Sequence, residues 1–368
     1  MPYWHRTAAL GEDCKLMPAT AENFSLGLPV EIARIDRELK KLWAESAGAM
    51  TRASLINLAI YSEKPGSLQR NTQLISQITA NHACRAIVIE ADRTARENGA
   101  SAWISAHCHV SRAGSKQVCS EQLSFLLGGP CSTMLPSIVF SHLDSDLPFY
   151  LWWQDEFYNP MDSQLWAWVD RVIYDSQQWH DFAAQFELVK TAQREASQRI
   201  VLCDLNWMRL DKVRLALAQF FDHPASHHHF DDIRAVSIGF APGYRSTALL
   251  LAGWLAAQLG WEAHPAGDGV QFHFTGSDDQ EIRIELNEAP GEPISHVNLQ
   301  SGPTRFSVRH PQGGDLLEIS REDSGEKRLQ QLMPAANNDL VHLVSDELMR
   351  AGPHAVYLRV VNCVRSLM

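Results

Sequence analysis

The eight residues Cys203-Asp204-Leu205-Asn206-Trp207-Met208-Arg209-Leu210 hold the richest local set of functional groups in this 368-residue chain. A carboxylate, a carboxamide, an indole and a guanidinium follow directly on the apolar run Ile200-Val201-Leu202. A short apolar run that ends in polar groups is the pattern of a buried strand, and the carboxyl ends of such strands are where open α/β sheets meet ligands and partners. Ser120-Glu121-Gln122, Trp153-Gln154-Asp155 and Asp175-Ser176 end other apolar runs in the same way. With Asp204, Asn206 and Arg209 they are expected either to converge on one rim of a sheet or to serve only as caps and loop ion pairs, since strand ends always need polar partners.

A second candidate runs from Ser237 to Thr247, where a strand passes through glycines into a helix. Backbone N–H groups at such a helix start can hold an anion, with Gly243, Arg245 and Ser246 as the residues concerned. It is neither a Walker loop nor GxGxxG. His107-Cys108-His109 has metal-ligand residue types, but on a strand the histidines face one way and the cysteine the other, so the triplet cannot close around one ion. His227-His228-His229 is expected in a solvated loop. The sequence has no GxSxG elbow and no HExxH. The expectation is therefore a protein that is not an enzyme, with no cofactor and no metal.

The elements that must position these groups follow from hydrophobic period and turn residues. Residues 1–50 read as an N-terminal extension with an amphipathic helix over 30–47, stopped by Gly48. Residues 51–260 read as an α/β domain: strands over 55–61, 85–91, 149–153, 171–176, 200–205 and 235–240 alternate with helices over 68–79, 135–143, 164–169, 179–196, 210–221 and 245–259. Strands over 103–110 and 118–127, joined by a turn at 111–115, form a hairpin that makes a largely parallel sheet mixed. Residues 261–368 read as a smaller α+β domain, because residues 270–321 alternate apolar with polar in short runs, the pattern of an antiparallel sheet with one wet face. Asn337, Asn338 and Asp339 offer caps for a helix to Met349, and Val356, Val360, Val364 and Leu367 lie along a last one. The predicted class is thus α/β, a mixed and largely parallel central sheet with flanking helices, followed by the antiparallel domain and C-terminal helices.

A formal charge of -11 with no visible basic face argues against a nucleic-acid partner. No apolar run approaches the roughly 20 residues that span a bilayer, so no membrane role is expected. The start Met1-Pro2-Tyr3-Trp4-His5-Arg6 lacks the apolar core of a secretion signal, which leaves a cytoplasmic address as the expectation. The seven cysteines show no CxxC spacing and are expected as reduced, mostly buried thiols. Of eleven tryptophans, seven fall between Trp103 and Trp207, marking the middle of the chain as a heavy core or an aromatic contact surface.

Six stretches in order resemble the glucose-6-phosphate dehydrogenase assembly proteins, the OpcA family. They are residues 52–61 (RASLINLAIY), 85–89 (RAIVI), 119–122 (CSEQ), 147–153 (LPFYLWW), 171–176 (RVIYDS) and 204–210 (DLNWMRL). The resemblance implies a non-catalytic partner that promotes assembly or activity of glucose-6-phosphate dehydrogenase by binding one of its states better than others. Tryptophan and arginine are enriched in interface hot spots, so Trp152, Trp153, Trp207 and Arg209, with Asp204 and Asn206, are the candidate contact residues. For the tryptophans, burial in the core is the competing reading. The rival function is a sugar-phosphate enzyme or sensor that uses the rim near Asp204 and the helix start near Gly243.

Overall fold

The computed structural model describes residues 15–16, 26–45, 50–96, 98–110, 117–158, 163–195, 200–222, 227–264, 269–350 and 352–368. The chain separates into two units, one made of residues 1–174, 188–202 and 344–350, the other of 175–187, 203–343 and 351–368. The fold class is mixed α/β, with one sheet dominated by parallel pairs and one by antiparallel pairs.

The first sheet grows around strands Ile56–Ser62 and Cys84–Asp92, which pair in parallel. Leu58, Ala59, Ile60, Ala86, Ile87, Val88 and Ile89 are all fully buried, so neither strand alternates. A parallel strand covered on both faces has this near-continuous apolar sequence. The crossover helix Ser67–Ile78 buries Leu68, Ile75 and Ile78. Phe149–Trp153 adds in parallel on the other side of Ile56–Ser62, and Arg171–Tyr174 adds in parallel beyond it. Gln117–Gly128 pairs in parallel with Cys84–Asp92 and antiparallel with Gly99–Val110, the hairpin that makes the sheet mixed. The turn expected at 111–115 lies outside the described residues. The ten-stranded sheet ends in Val201–Asp204, the strand through which the chain passes from the first unit to the second.

The helix predicted over 30–47 is shorter, Ile35–Glu45. Leu28–Val30 instead pairs antiparallel with Gly99–Val110, and a 3-10 turn at Ile32–Arg34 intervenes. The sheet edge thus satisfies backbone groups that the apolar spacing assigned to a helix. The predicted stop at Gly48 lies outside the described residues. The cysteine expectation is also corrected. Cys108 and Cys119 stand opposite each other in the hairpin register and form a disulfide, and Cys131 is disulfide-bonded as well. Cys84, Cys203 and Cys363 are not in disulfides. Spacing along the chain does not reveal cross-strand neighbours; the register does.

In the second unit an eight-stranded sheet is built around Ile233–Phe240. That strand pairs in parallel with Glu281–Glu288 and antiparallel with Ile294–Ser301. Its partners therefore come from beyond residue 280, within the stretch read from the sequence as an antiparallel sheet. Thr304–Arg309, Leu316–Asp323 and Glu326–Pro334 continue the sheet antiparallel, the last of them a strand that the sequence spacing did not reveal. Helix Arg245–Leu259 follows Ile233–Phe240 and packs on it, with the final helix Ala355–Ser366 against its other side. Asp339 caps Leu340–Met349 by accepting from Val341 N at 2.9 Å. Among the described residues no helix is long and apolar enough to cross a membrane.

Candidate functional site

Asp204 ends its strand in an extended conformation and starts the four-residue helix Leu205–Met208. One carboxylate oxygen, Oδ1, accepts from Asn206 N at 2.9 Å, the cap expected of an aspartate at this place, and from Ser176 N at 3.0 Å. Oδ2 accepts from the Ser176 hydroxyl at 2.7 Å and the Tyr357 hydroxyl at 2.8 Å. Burial pushes the carboxyl up to about 6; the Ser176 hydroxyl pulls it down, and the nearby Asp175 charge pushes it up again. All four donors belong to this chain, and they occupy the lone pairs a general base would need. The Asn206 side chain extends the network, donating to Ser176 Oγ at 3.1 Å and Ser246 Oγ at 3.2 Å while accepting from Thr247 Oγ1. It ties the first turn of Arg245–Leu259 to the end of strand Val201–Asp204.

Asp175 repeats the device one element earlier. It follows strand Arg171–Tyr174 and caps the 3-10 turn Ser176–Gln178 through Gln177 N. Its carboxylate takes Arg209 bidentately, with both N–O distances 2.7 Å and both side chains largely buried. Burial disfavours the Arg209 charge, but the Asp175 bonds outweigh it and hold the guanidinium above its ordinary value. Trp207 is buried, tilted against Tyr357, and covered on one ring face by the Arg214 guanidinium 3.4 Å from the centroid.

At the helix start, Gly243 adopts φ +83, a left-handed turn that favours glycine. Its carbonyl accepts from Gln177 Nε2 at 2.9 Å. Arg245 is exposed, and its guanidinium donates to Gly269 O at 2.7 Å. Pro242, Gly243 and Arg245 form the exposed lip above the buried Asp204 network, and Ser246 is the half-buried link between the two.

In the first unit the strand ends gather a separate set. Trp153 stacks on Tyr61 with ring centroids 4.1 Å apart and donates its indole N–H to Glu156 O at 3.3 Å. Gln154 exchanges two hydrogen bonds with Asn71, each 2.9 Å, and Asp155 accepts from Glu63 N. Trp152 and Trp153 are both buried, as are Asp204, Asn206, Trp207 and Arg209. None of the six candidate contact residues presents its side chain as a surface anchor. The core is where the tryptophans are.

Sequence reasoning missed what happens at the start of helix Ser67–Ile78. The first helix after a parallel strand is the usual seat of a phosphate in α/β folds, because its free N–H groups point outward. Here Glu90, from the neighbouring strand, fills that seat with its own carboxylate. It accepts from Gly66 N at 3.1 Å, Leu68 N at 2.8 Å and the Ser67 hydroxyl at 3.2 Å. A second anion would meet like charge there.

Tyr357 was also missed, because only the valines around it show a helical period and its partner Asp204 lies 153 residues away. Of the triplets, His107 bonds Gln122 Oε1 at 2.8 Å and His109 bonds Thr79 Oγ1 at 3.2 Å, with Cys108 in its disulfide. The expected solvated loop at His227-His228-His229 is corrected. His228–Asp231 is a helical turn, and His229 is buried against Ser301 because Phe306 and Arg321 close over it.

Two family models match this chain, and both describe a glucose-6-phosphate dehydrogenase subunit: its N-terminal domain over residues 75–191 and its C-terminal domain over residues 200–361. A curated relative from Nostoc punctiforme, named "Putative OxPP cycle protein OpcA", is 24% identical over 310 residues, which are 77% of this chain and 65% of the relative. One of the same name from Synechococcus elongatus is 25% identical over 78% of this chain and 68% of its own length. The chain thus spans about two thirds of the length of the relatives it matches. Among solved structures, the aldose–aldose oxidoreductase of Caulobacter crescentus overlaps 84% of this chain and 94% of its own, at TM-score 0.46 and 9% identity. Matched in order over both halves, the chain belongs to the glucose-6-phosphate dehydrogenase subunit family, the family of the OpcA relatives.

Proposed function

We propose that the chain is a non-catalytic partner of glucose-6-phosphate dehydrogenase in the oxidative pentose phosphate pathway, acting in the cytoplasm as an assembly factor and allosteric activator. The observation that carries this reading is the internal saturation of the two places where such a fold takes small ligands. Asp204 is filled by four donors of the chain itself, and Asp175 is closed on Arg209. The first helix start is filled by Glu90. A rim whose carboxylates are already engaged within the chain is built for shape and not for bond-making, and a shaped rim suits a macromolecule. In this reading Trp152, Trp153, Asp204, Asn206, Trp207 and Arg209 act by fixing the strand-end loops, and the exposed lip at Pro242, Gly243 and Arg245 meets the dehydrogenase.

An activator shifts its target only by differential affinity, and a tenfold shift between two states takes about 1.4 kcal/mol of preference. Mixing the purified chain with its cognate dehydrogenase is expected to change the enzyme's oligomer distribution in sedimentation velocity, together with its KM for glucose 6-phosphate or its kcat. Arg245→Glu should weaken co-elution while leaving the chain's thermal melt unchanged. An enzyme that keeps its oligomers and its kinetics, and never co-elutes with the chain, would overturn the reading.

A further inference from the structure

Asp175 and Asp204 are neighbouring carboxylates of one rim, and the chain balances them differently. Asp175 faces a guanidinium, with Arg209 on both of its oxygens at 2.7 Å. Asp204 is buried more deeply, at 1% exposure, and its four donors are all neutral. Oδ1 takes the N–H groups of Ser176 and Asn206, and Oδ2 takes the hydroxyls of Ser176 and Tyr357. Among the described residues, no surrounding element supplies a cation bonded to it. Asp175, in the adjoining turn, is a like charge. Arg209, at the end of helix Leu205–Met208, is spent on Asp175. Cys203 precedes Asp204 on its strand and therefore points to the opposite face. Helix Arg245–Leu259 offers Asn206 only the uncharged Ser246 and Thr247, while Arg245 bonds Gly269 O.

A buried carboxylate beside a like charge, without an ion-pair partner, is the acid of this rim that takes up a proton most easily. Its donors oppose that uptake, and burial outweighs them, which is why the carboxyl stands at about 6. The two oxygens are not equivalent in this respect. Oδ1 faces N–H groups, which can only donate, so a proton placed there would meet another donor. Oδ2 faces two hydroxyls, and a hydroxyl that donates to a carboxylate can turn and accept from a carboxylic acid. The proton therefore goes to Oδ2, and the Ser176 or the Tyr357 hydroxyl must turn its hydrogen elsewhere. The bonds that remain lose the strength that an ionised acceptor gives them. What they hold is the Ser176 turn, the final helix through Tyr357, and, through Asn206 and Ser246, the first turn of Arg245–Leu259 beneath the exposed lip.

We propose, on the reading that the lip above this network meets glucose-6-phosphate dehydrogenase, that Asp204 is the proton-sensing residue of the rim. Its ionised form clamps the Ser176 turn, the start of helix Leu205–Met208 and the final helix Ala355–Ser366 at one point. Its protonated form loosens that clamp and weakens the hold on the partner. Linkage fixes the sign. A partner that prefers the ionised form lowers the Asp204 midpoint on binding, so affinity falls as pH drops through that midpoint.

Carboxyl carbon NMR of the full chain tests the sensor without any partner, with the Asp204 signal assigned by its loss in Asp204→Asn. A midpoint at about 6 is expected, in step with amide shifts at Ser176, Asn206 and Ser246. Tyr357→Phe removes one donor to the carboxylate and should raise the midpoint, which a merely structural tyrosine would leave in place. Affinity for the dehydrogenase should fall about five-fold from about pH 7.5 to about pH 5, for a midpoint about one unit lower in the complex. Asp204→Asn should bind at about pH 7.5 as weakly as the native chain does at about pH 5, and lose that dependence. If it melts at a lower temperature than the native chain, Tyr357→Phe serves instead, its affinity falling at a higher pH. A carboxyl still ionised at about pH 4.5, or a midpoint unmoved by Tyr357→Phe, overturns the proposal. So does equal affinity at both pH values. A chain that titrates as expected but binds no dehydrogenase at either pH supports the sensor and overturns the proposed partner.

Discussion

At the scale of single residues, the candidate site is a set of paired charges and hydrogen bonds. Asp175 and Arg209 illustrate how much that pairing is worth. Both are largely buried and joined by two short bonds, so removing one leaves the other charged out of water. Arg209→Met should cost about 3–5 kcal/mol in urea unfolding. The double variant Asp175→Asn with Arg209→Met should cost markedly less. No uncompensated charge remains in it, and the carbonyl of the introduced carboxamide can still cap Gln177 N. Equal losses in the single and double variants would mean that the pair does not brace the rim. Asp204 ends its strand and Asp175 follows directly on its own, as an apolar run closed by polar residues suggests, whereas Asn206 and Arg209 lie in and at the end of the short helix after Asp204. The sequence could not say that they would pair with one another, since that depends on which two strand ends lie side by side.

At the scale of elements, helix Ser67–Ile78 owes its start to a residue of the following strand. Gly66 precedes the helix without a side chain to cap it, and Glu90 supplies the missing acceptor from outside. A carboxylate at a helix N-terminus satisfies free N–H groups and opposes the helix dipole favourably. Glu90→Ala should therefore destabilise the protein by about 1 kcal/mol, read as a lower urea midpoint, and Glu90→Gln by less, because its carbonyl oxygen still accepts. An unchanged midpoint in the alanine variant would show that the helix start does not depend on this cap. The strand–helix–strand order here was legible from apolar runs and the Pro65-Gly66 turn, and the observed Ile56–Ser62, Ser67–Ile78 and Cys84–Asp92 lie within a residue or so of the expected ranges. The cap was not legible, because the nearest fingerprint, three glycines in GxGxxG, is absent and a lone glutamate carries no spacing signal.

At the scale of the whole molecule, the chain passes between its two units more than once, and the units are not consecutive stretches of sequence. The strand Ile233–Phe240 shows the consequence. Its neighbours on both sides, Glu281–Glu288 and Ile294–Ser301, lie beyond residue 260. A chain ended at 260 keeps this strand with neither partner and exposes Val236 and Ile238 along two unpaired edges. Such a fragment should aggregate or lose its near-ultraviolet circular dichroism, and amide exchange in 233–240 should be unprotected. A soluble fragment with protected amides there would show that the helix Arg245–Leu259 suffices to hold the strand.

Local elements and the class of fold are written in short stretches of the chain. Hydrophobic period reports which face of a segment is buried, and turn residues report where the chain must reverse. Both are properties of a dozen residues at most. The ordered motifs likewise carried the family resemblance, since they are read along the chain. Other facts exist only once the chain has folded: Cys108 faces Cys119, Tyr357 reaches Asp204, Glu90 closes a helix start, and the indoles of Trp152, Trp153 and Trp207 are buried. Those facts depend on register and on contacts between residues far apart in sequence, where a shift of one residue turns a side chain to the other face.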